Sequence, residues 1–142
     1  SKQTAKEMLD RANYCLERVG LPGTNKLFPS ELSGGMKKRV GIARAIAMNP
    51  KYLFCDEPNS GLDPQTSILI DELIKSLTVE FDMTTIVVTH DMNSVIEIGD
   101  KIFFLFKGEK KWEGNNKEIL KTEEEEVRSF VYASKFIKEL VK

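Results

Sequence analysis

Three short apolar runs, separated by segments of helical periodicity, constrain what this chain can fold into. The runs cover residues 52–55, 85–89 and 102–106. Runs of this length are typical of strands, and the continuously apolar run 52–55 indicates a strand buried on both faces. The order strand, helix, strand, helix, strand predicts an α/β fold with a parallel sheet, preceded by two helices that need not belong to that sheet.

Capping residues mark the predicted helices. The first helix ends before Gly20, and the second begins after Ser33 and ends before Pro50. The third begins at Asp63, which precedes a proline suited to the first helical position. The predicted apolar stripes of these helices are Ala5, Met8, Leu9, Ala12, Cys15, Leu16 and Val19; Met36, Val40, Ala43 and Ala47; and Ile70, Leu73, Ile74, Leu77 and Phe81.

The last part of the chain predicts a short helix, a hairpin and a closing helix. The short helix covers 94–98, and a turn at 107–108 leads strand 102–106 back into strand 110–113. Thr122 is the predicted cap of the closing helix, whose first turn would hold the acids that follow it. The predicted apolar side of this helix is Val127, Phe130, Val131, Ile137 and Val141.

Composition excludes several functional classes. The 142 residues contain 21 Lys and Arg against 22 Asp and Glu, so a net charge of -1 gives no basic field for nucleic acid. No apolar stretch approaches the roughly 18 residues of a membrane span, and the N-terminus lacks a signal-peptide pattern. Cys15 and Cys55 lie in apolar stretches, as core thiols in a reducing setting do. We therefore expect no nucleic-acid partner and no direct membrane insertion.

Ser33, Gly34 and Gly35 open a helix with a hydroxyl and two adjacent glycines. Such a start exposes backbone N–H groups and the positive end of the helix dipole, with no Cβ to block an anion, and phosphate is the natural ligand. The alternative is a Gly-Gly turn with Ser33 as an ordinary cap. Both interpretations are open from this motif alone.

Asp56 and Glu57 follow directly after the strand 52–55. A strand that meets a polar loop would explain the pair. A site at the carboxyl end of the strand would instead let Asp56 ligate Mg²⁺ and let Glu57 orient or deprotonate an attacking water.

Two further positions have both structural and functional interpretations. Asp63 ends the turn 60–63 and caps the next helix, and a functional role would be additional. His90 is the single histidine and follows a β-branched strand. A lone histidine is more often structural, but the end of this strand is where a γ-phosphate sensor would be needed, close to Asp56 and Glu57.

Taken together, these segments resemble, in order and spacing, the nucleotide-binding domain of ABC transporters over nearly the whole chain. Segments 32–36, 52–57 and 60–63 and His90 look like the signature motif, the Walker B strand, the D-loop and the switch-histidine loop. The implied fold is a partial P-loop NTPase-like parallel sheet with flanking helices. The implied domains are part of the helical subdomain (1–48), the C-terminal part of a RecA-like core (49–121) and a C-terminal helix (122–142).

The resemblance assigns roles to individual residues. ATP and Mg²⁺ are the implied cofactors, with Asp56 as the Mg²⁺ ligand and Glu57 and His90 as catalytic residues for the nucleotide of the same subunit. Asp63 would lie at the interface of two ATPase subunits. The residues that would contact the γ-phosphate of ATP held by the second subunit are Ser33, Gly34, Gly35 and Met36.

The resemblance also implies partners and a location. Transmembrane permease subunits would hold the protein at the cytoplasmic side of the inner membrane. Met36, with segments 37–45 and 57–64, looks most like the ATPase subunits of Mce/Mla-type lipid-trafficking systems, which predicts lipid as the cargo.

No Gly-x-x-x-x-Gly-Lys-Ser/Thr motif occurs in these residues, and no Q-loop glutamine precedes the helical region. A P-loop cradles the β- and γ-phosphates in this ATPase class. We therefore expect a C-terminal fragment of a longer ATPase, inactive by itself. Two alternatives stay open: a non-hydrolytic docking and dimerisation module, and an ATPase with a soluble role other than transport.

Overall fold

The computed structural model describes the backbone of residues 4–140 and the side chains of residues 4–133. The described residues form two compact units, one that ends at Val88 and one that begins at Thr89. The domain boundaries that the sequence predicts, after residues 48 and 121, follow family subdomains and stay predictions.

The first unit contains three α-helices and a two-stranded parallel sheet. Strands β1 (Tyr52–Asp56) and β2 (Thr84–Val88) pair in register, with Phe54 opposite Ile86 and Asp56 opposite Val88. Their carboxyl ends therefore lie at the same edge of the sheet. The elements are α1 (Ala5–Arg18), a 3₁₀ turn (Pro29–Glu31), α2 (Gly34–Ile46), β1 (Tyr52–Asp56), α3 (Pro64–Glu80) and β2 (Thr84–Val88).

Side-chain caps begin the helices that carry the candidate site. The Ser33 hydroxyl accepts a hydrogen bond from the backbone N–H of Met36 at 3.2 Å, and α2 begins at the next residue, Gly34. The Asp63 carboxylate accepts one from the N–H of Thr66 at 3.0 Å and begins α3. Each cap satisfies a backbone donor that has no intrahelical partner. The predicted starts of both helices are confirmed.

The far end of α2 is held by an arginine of α1. The guanidinium of Arg11 donates hydrogen bonds to the carbonyl oxygens of Ala47 at 2.9 Å and Ile46 at 2.8 Å. These carbonyls lie at the negative end of the helix dipole, where a cation is favourable. Arg11 therefore fixes α2 against α1.

The buried faces of the helices differ in part from the predicted stripes. In α1 only the C-terminal half of the stripe is buried, at Cys15, with Val19 just beyond the helix, whereas Met8 and Leu9 are exposed. In α3 the predicted stripe is confirmed at Ile70, Ile74 and Leu77, which are buried. Its other two residues, Leu73 and Phe81, are half-buried. In α2 the buried residues are Ile42, Ala43 and Ile46, and Met36, Val40 and Ala47 of the predicted stripe are only half-buried.

The prediction that β1 is buried on both faces is wrong. Leu53 is buried, but Tyr52 and Phe54 are 64% and 71% exposed, and Ile86 and Val88 beside them are exposed as well. Side chains alternate between the two faces of a strand, so these four lie together on one face. An apolar run does not show whether one face or both will be covered, since that depends on distant parts of a fold.

The second unit contains α4 (Met92–Ile98), β3 (Ile102–Phe106), β4 (Glu109–Gly114) and α5 (Glu125–Leu140). Strand β3 pairs antiparallel with β4 in a separate sheet, so the expectation that it joins the parallel sheet is wrong. The predicted hairpin is confirmed. Lys107 and Gly108 both have positive φ, 51° and 79°, the combination that matches the twist of a two-residue hairpin.

The closing helix begins later than predicted. Its first residue is Glu125, and the Thr122 hydroxyl accepts a hydrogen bond from the N–H of Glu124 at 3.2 Å, within the turn before the helix. Thr122 is therefore not the N-cap. It lies two residues before Glu124, which directly precedes the helix, and its hydrogen bond closes a local turn there. The acids of the first turn are Glu125 and Glu126, at the positive end of the dipole.

The core of the second unit lies between α4, the hairpin and α5. Val127 and Val131 are buried in one cluster with Met92 and Ile119, which confirms the apolar side predicted for α5. Phe130 packs on Phe104 with ring centroids 5.6 Å apart. The side chain of Ile137 and all of Val141 fall outside the described residues. Within residues 4–140, no helix has the length and apolarity that crossing a membrane requires.

Candidate functional site

The N-terminus of α2 is the first component of the candidate site. Ser33 and Gly34 are exposed, and no acidic side chain lies in the first turn of α2. The positive end of the helix dipole is therefore not neutralised within this helix, which favours an anion there. The predicted phosphate contact of Ser33, Gly34, Gly35 and Met36 stays a prediction.

Gly35 also has a packing role. A Cβ built on Gly35 would lie 2.8 Å from Cγ2 of Thr66, whereas one on Gly34 would lie 3.6 Å from Cδ2 of Leu62. The first distance is a clash and the second is ordinary contact. Gly35 thus allows α2 to approach the start of α3 closely, and Leu62 near Gly34 places the signature-like and D-loop-like segments side by side.

The carboxyl end of β1 is the second component. Asp56 is the last residue of β1 and is exposed, and Glu57 follows it half-buried with a φ of 46°. The N–H of Glu57 donates a hydrogen bond of 2.8 Å to the carbonyl oxygen of Val88 at the end of β2. A positive φ is uncommon for a residue with a Cβ, and functional sites are where such conformations cluster.

Two residues that the sequence analysis missed hold the loop after β1. The ammonium of Lys38 on α2 donates a hydrogen bond of 3.1 Å to the carbonyl oxygen of Glu57. The amide of Asn59 donates one of 2.8 Å to the carboxylate of Asp71 on α3, where both residues are buried. Lys38 could have been noticed, because it lies one turn before Ile42 on the buried face of α2. No comparable spacing in the sequence indicates a role for Asn59.

Asp63 caps α3 in the way that the structural interpretation predicted. Its carboxylate accepts hydrogen bonds from the Thr66 hydroxyl at 2.5 Å and from the Thr66 N–H at 3.0 Å. The side-chain bond, followed by the backbone bond, lowers the pKa of Asp63 below its ordinary value. Asp63 is exposed, so it is accessible to a second subunit, and its predicted interface role stays a prediction.

The residues at the end of β1 fit a magnesium ion that takes few protein ligands. Among the residues with described side chains, no group of three or more His, Cys, Asp or Glu could hold a metal. Mg²⁺ in nucleotide sites commonly takes one or two carboxylates and fills its remaining positions with phosphate oxygens and water. Asp56, an exposed carboxylate at a strand end, is suited to that role.

His90 belongs to the second unit and is exposed. It lies between two local hydrogen bonds: the N–H of Asp91 donates to the Thr89 hydroxyl at 3.0 Å, and the N–H of Asn93 donates to the Asp91 carboxylate at 2.9 Å, which caps α4. These bonds fix the backbone on either side of the histidine. Its predicted contact with the γ-phosphate stays a prediction.

Comparison with known proteins identifies the relatives of this chain. A profile of the family described as "ABC transporter" matches residues 2–60. The "Methionine import ATP-binding protein MetN" of Campylobacter jejuni is 42% identical over 134 residues, which are 94% of this chain and 40% of that protein. The "Probable ribonucleotide transport ATP-binding protein mkl" of Mycobacterium leprae is 37% identical over 92% of this chain and 38% of that protein.

A solved structure shows the same fold. It is the ATP-binding cassette MJ0796 as a dimer in a post-hydrolysis state with ADP and Pi, which is 37% identical with a TM-score of 0.71 over 82% of this chain and 50% of that one. The predicted P-loop NTPase-like α/β fold class is therefore confirmed. The chain spans about 40% of the length of the first curated relatives it matches.

Proposed function

This chain belongs to the ABC transporter family, and from that premise we propose that its complete protein hydrolyses ATP at an interface between two ATPase subunits. The observation that carries the proposal is the pair at the end of β1. Asp56 is exposed there, and Glu57 leaves the strand in a left-handed conformation that hydrogen bonds with β2, with the following loop and with α2 hold in place.

The chain's own residues would divide the work of hydrolysis. Asp56 would hold Mg²⁺, which supplies charge neutralisation on the phosphates when it is bound. Glu57 would accept a proton from, or orient, the attacking water, a contribution of about 10²–10⁴-fold. His90, after β2, would donate a hydrogen bond to the γ-phosphate of the same nucleotide.

The N-terminus of α2 would serve the nucleotide of the partner subunit. Ser33, Gly34, Gly35 and Met36 would present a hydroxyl, backbone N–H groups and the helix dipole to its γ-phosphate. Asp63 follows Leu62, whose Cδ2 would lie 3.6 Å from a Cβ built on Gly34. Its place next to the glycine pair supports a role at the same subunit interface.

The test uses the extended protein. By this we mean these 142 residues together with the residues that the flanking coding sequence specifies. We expect Mg²⁺-dependent phosphate release, reduced at least about 100-fold by Glu57→Gln, with ATP binding retained. Glu72→Gln, at an exposed position on α3, is the matched control and should leave the rate unchanged. Activity that Glu57→Gln does not alter would contradict the assignment of the base.

We propose that the 142 residues alone bind ATP weakly and do not turn it over, because they contain no P-loop. Phosphate release by this chain would be measured with and without Glu57→Gln. Turnover that the substitution abolishes would overturn the proposal.

Transport is the proposed purpose of the ATPase. Both curated relatives described above have names that refer to transport, of methionine and of ribonucleotides. We propose transmembrane permease subunits as partners, which would place the protein at the cytoplasmic side of the membrane. Co-purification of those subunits with the extended protein tests this, and their absence would favour a soluble role.

Lipid is the proposed cargo on the strength of Met36 and its flanking segments alone. The names of the relatives give it no support, since they refer to other cargoes. The reconstituted assembly should move labelled phospholipid between vesicles in an ATP-dependent way. Transport of methionine instead, with no transfer of lipid, would overturn the lipid assignment.

A further inference from the structure

The hydrogen bond from the Lys38 ammonium to the carbonyl oxygen of Glu57 joins α2 to the end of β1 within the first unit. We propose that Lys38 is a positioning residue, which holds the backbone of Glu57 in its left-handed conformation. Through this bond, the position of the N-terminus of α2, at Gly34 and Gly35, affects the direction in which the Glu57 carboxylate points. The inference rests on the proposed function, because it takes Glu57 as the acid that acts on water.

The backbone of Glu57 is held by three hydrogen bonds. Its N–H donates to the carbonyl oxygen of Val88 at 2.8 Å, and its own carbonyl oxygen accepts from the N–H of Ser60 and from Lys38 Nζ, each at 3.1 Å. A carbonyl oxygen has two lone pairs, and both are thereby used. The peptide planes on either side of Glu57 are fixed, and they set the direction of its Cα–Cβ bond.

The left-handed conformation of Glu57 needs such support. At a φ of 46° its Cβ crowds the backbone, and a residue other than glycine stays there only where its surroundings determine the conformation. The bond to the Val88 carbonyl and the bond from the Ser60 N–H involve only the backbone of β2 and of the loop. The bond from Lys38 comes from a side chain on α2, so it depends on where α2 lies.

The position of Lys38 is unusual for a lysine. Lys38, Ile42 and Ile46 are spaced four residues apart along α2, and both isoleucines are buried. Lysine is seldom placed on such a face unless its ammonium has a partner, because burial of the unpaired charge is costly. Lys38 is half-buried and has the Glu57 carbonyl as a partner, whereas Lys37 next to it is exposed.

The start of α2 is close enough to affect this bond. Lys38 lies about one turn beyond Gly34, and Gly35 touches Thr66 so closely that a Cβ would clash. An anion that binds at the N-terminus of α2 would attract this helix, and Lys38 on the same helix donates the hydrogen bond to the Glu57 carbonyl oxygen. A lengthening of about 0.5 Å would take the bond beyond hydrogen-bonding distance, so a small shift of α2 would release or tighten Glu57.

The experiment measures steady-state ATP hydrolysis by the extended protein. Lys38→Met removes the donor and keeps the apolar stem, Lys38→Arg keeps a cationic donor, and Lys37→Met is the matched control. We expect Lys38→Met to lower kcat about tenfold, as for the loss of a hydrogen bond to a charged group. KM for ATP and the thermal unfolding midpoint should stay close to those of Lys37→Met. Lys38→Arg should recover most of the rate.

A second measurement tests whether Lys38 acts through Glu57. In a protein that already carries Glu57→Gln, adding Lys38→Met should lower the residual rate by less than about twofold, since residues acting through one group are not additive. A full further tenfold loss would overturn the inference. So would equal kcat values for Lys38→Met and Lys37→Met, or a loss of rate fully explained by unfolding.

Failure of the inference differs from failure of the proposed function. If the unsubstituted extended protein shows no ATP hydrolysis, the proposed function is wrong and the inference falls with it. If it hydrolyses ATP and Glu57→Gln abolishes the activity while Lys38→Met does not change it, only the positioning role is overturned.

Discussion

The side-chain amide of Asn59 donates a 2.8 Å hydrogen bond to the carboxylate of Asp71, twelve residues along the chain, and both side chains are buried. The bond ties the loop after β1 to the middle of α3. Buried polar groups are costly to leave with a missing partner. The geometry of the loop that begins at Glu57 therefore depends on a pair that lies outside the recognised motifs.

We predict that Asn59→Ala lowers the free energy of unfolding by about 1–3 kcal/mol, because it takes a donor from a buried carboxylate. Ser60→Ala, at the exposed neighbouring position, should have a much smaller effect. Urea unfolding of both variants in the extended protein measures the difference. Equal midpoints would show that the Asn59 bond contributes little.

Gly35→Ala should destabilise the protein by about 1–2 kcal/mol, since the clash of its Cβ with Cγ2 of Thr66 outweighs the better helix propensity of alanine. Thr66→Ser removes that methyl group and keeps the hydroxyl that bonds Asp63. The double variant Gly35→Ala, Thr66→Ser should therefore recover most of the lost stability. Thermal unfolding of the single and double variants measures this, and additive losses would contradict the packing role of Gly35.

Glu113 should titrate far below an ordinary glutamate. Hydrogen bonds from Lys101 and Lys110 lower the pKa of Glu113 to about 2, from 4.5. A depressed pKa means that the ion pairs stabilise the fold above pH 4.5 and lose this effect as the pH falls towards about 2. NMR titration of the carboxylate tests the value. Lys101→Met should raise the pKa, and an unchanged titration would contradict the pairing.

The 142-residue chain should self-associate through the exposed face of its parallel sheet. Tyr52, Phe54, Ile86 and Val88 form an apolar surface there, and exposed apolar patches and unpaired strand edges promote association. Phe54→Glu should lower the mass measured by light scattering at high concentration. Val79→Glu, at an exposed position on α3, is the control. A monodisperse monomer without substitution would contradict the prediction.

The starts of α2 and α3 could be predicted because their cause is local. Ser33 and Asp63 bond N–H groups three residues later, and that geometry is encoded in a few consecutive residues. The turn at Lys107 and Gly108 was predictable for the same reason. Thr122 shows the limit of such reasoning, since its hydroxyl closes a turn before α5 and does not begin the helix.

The sequence by itself determined the order of the helices and strands, the family, and the residue types of the candidate site, because caps, turns and motifs act over short distances along the chain. The tertiary structure alone decided which face of β1 is covered and that β3 pairs with β4. It also decided that the backbone of Glu57 is left-handed and that Lys38 donates a hydrogen bond to its carbonyl oxygen. These features depend on contacts between residues far apart in sequence, and the spacing within one segment does not specify the partner that another segment will bring.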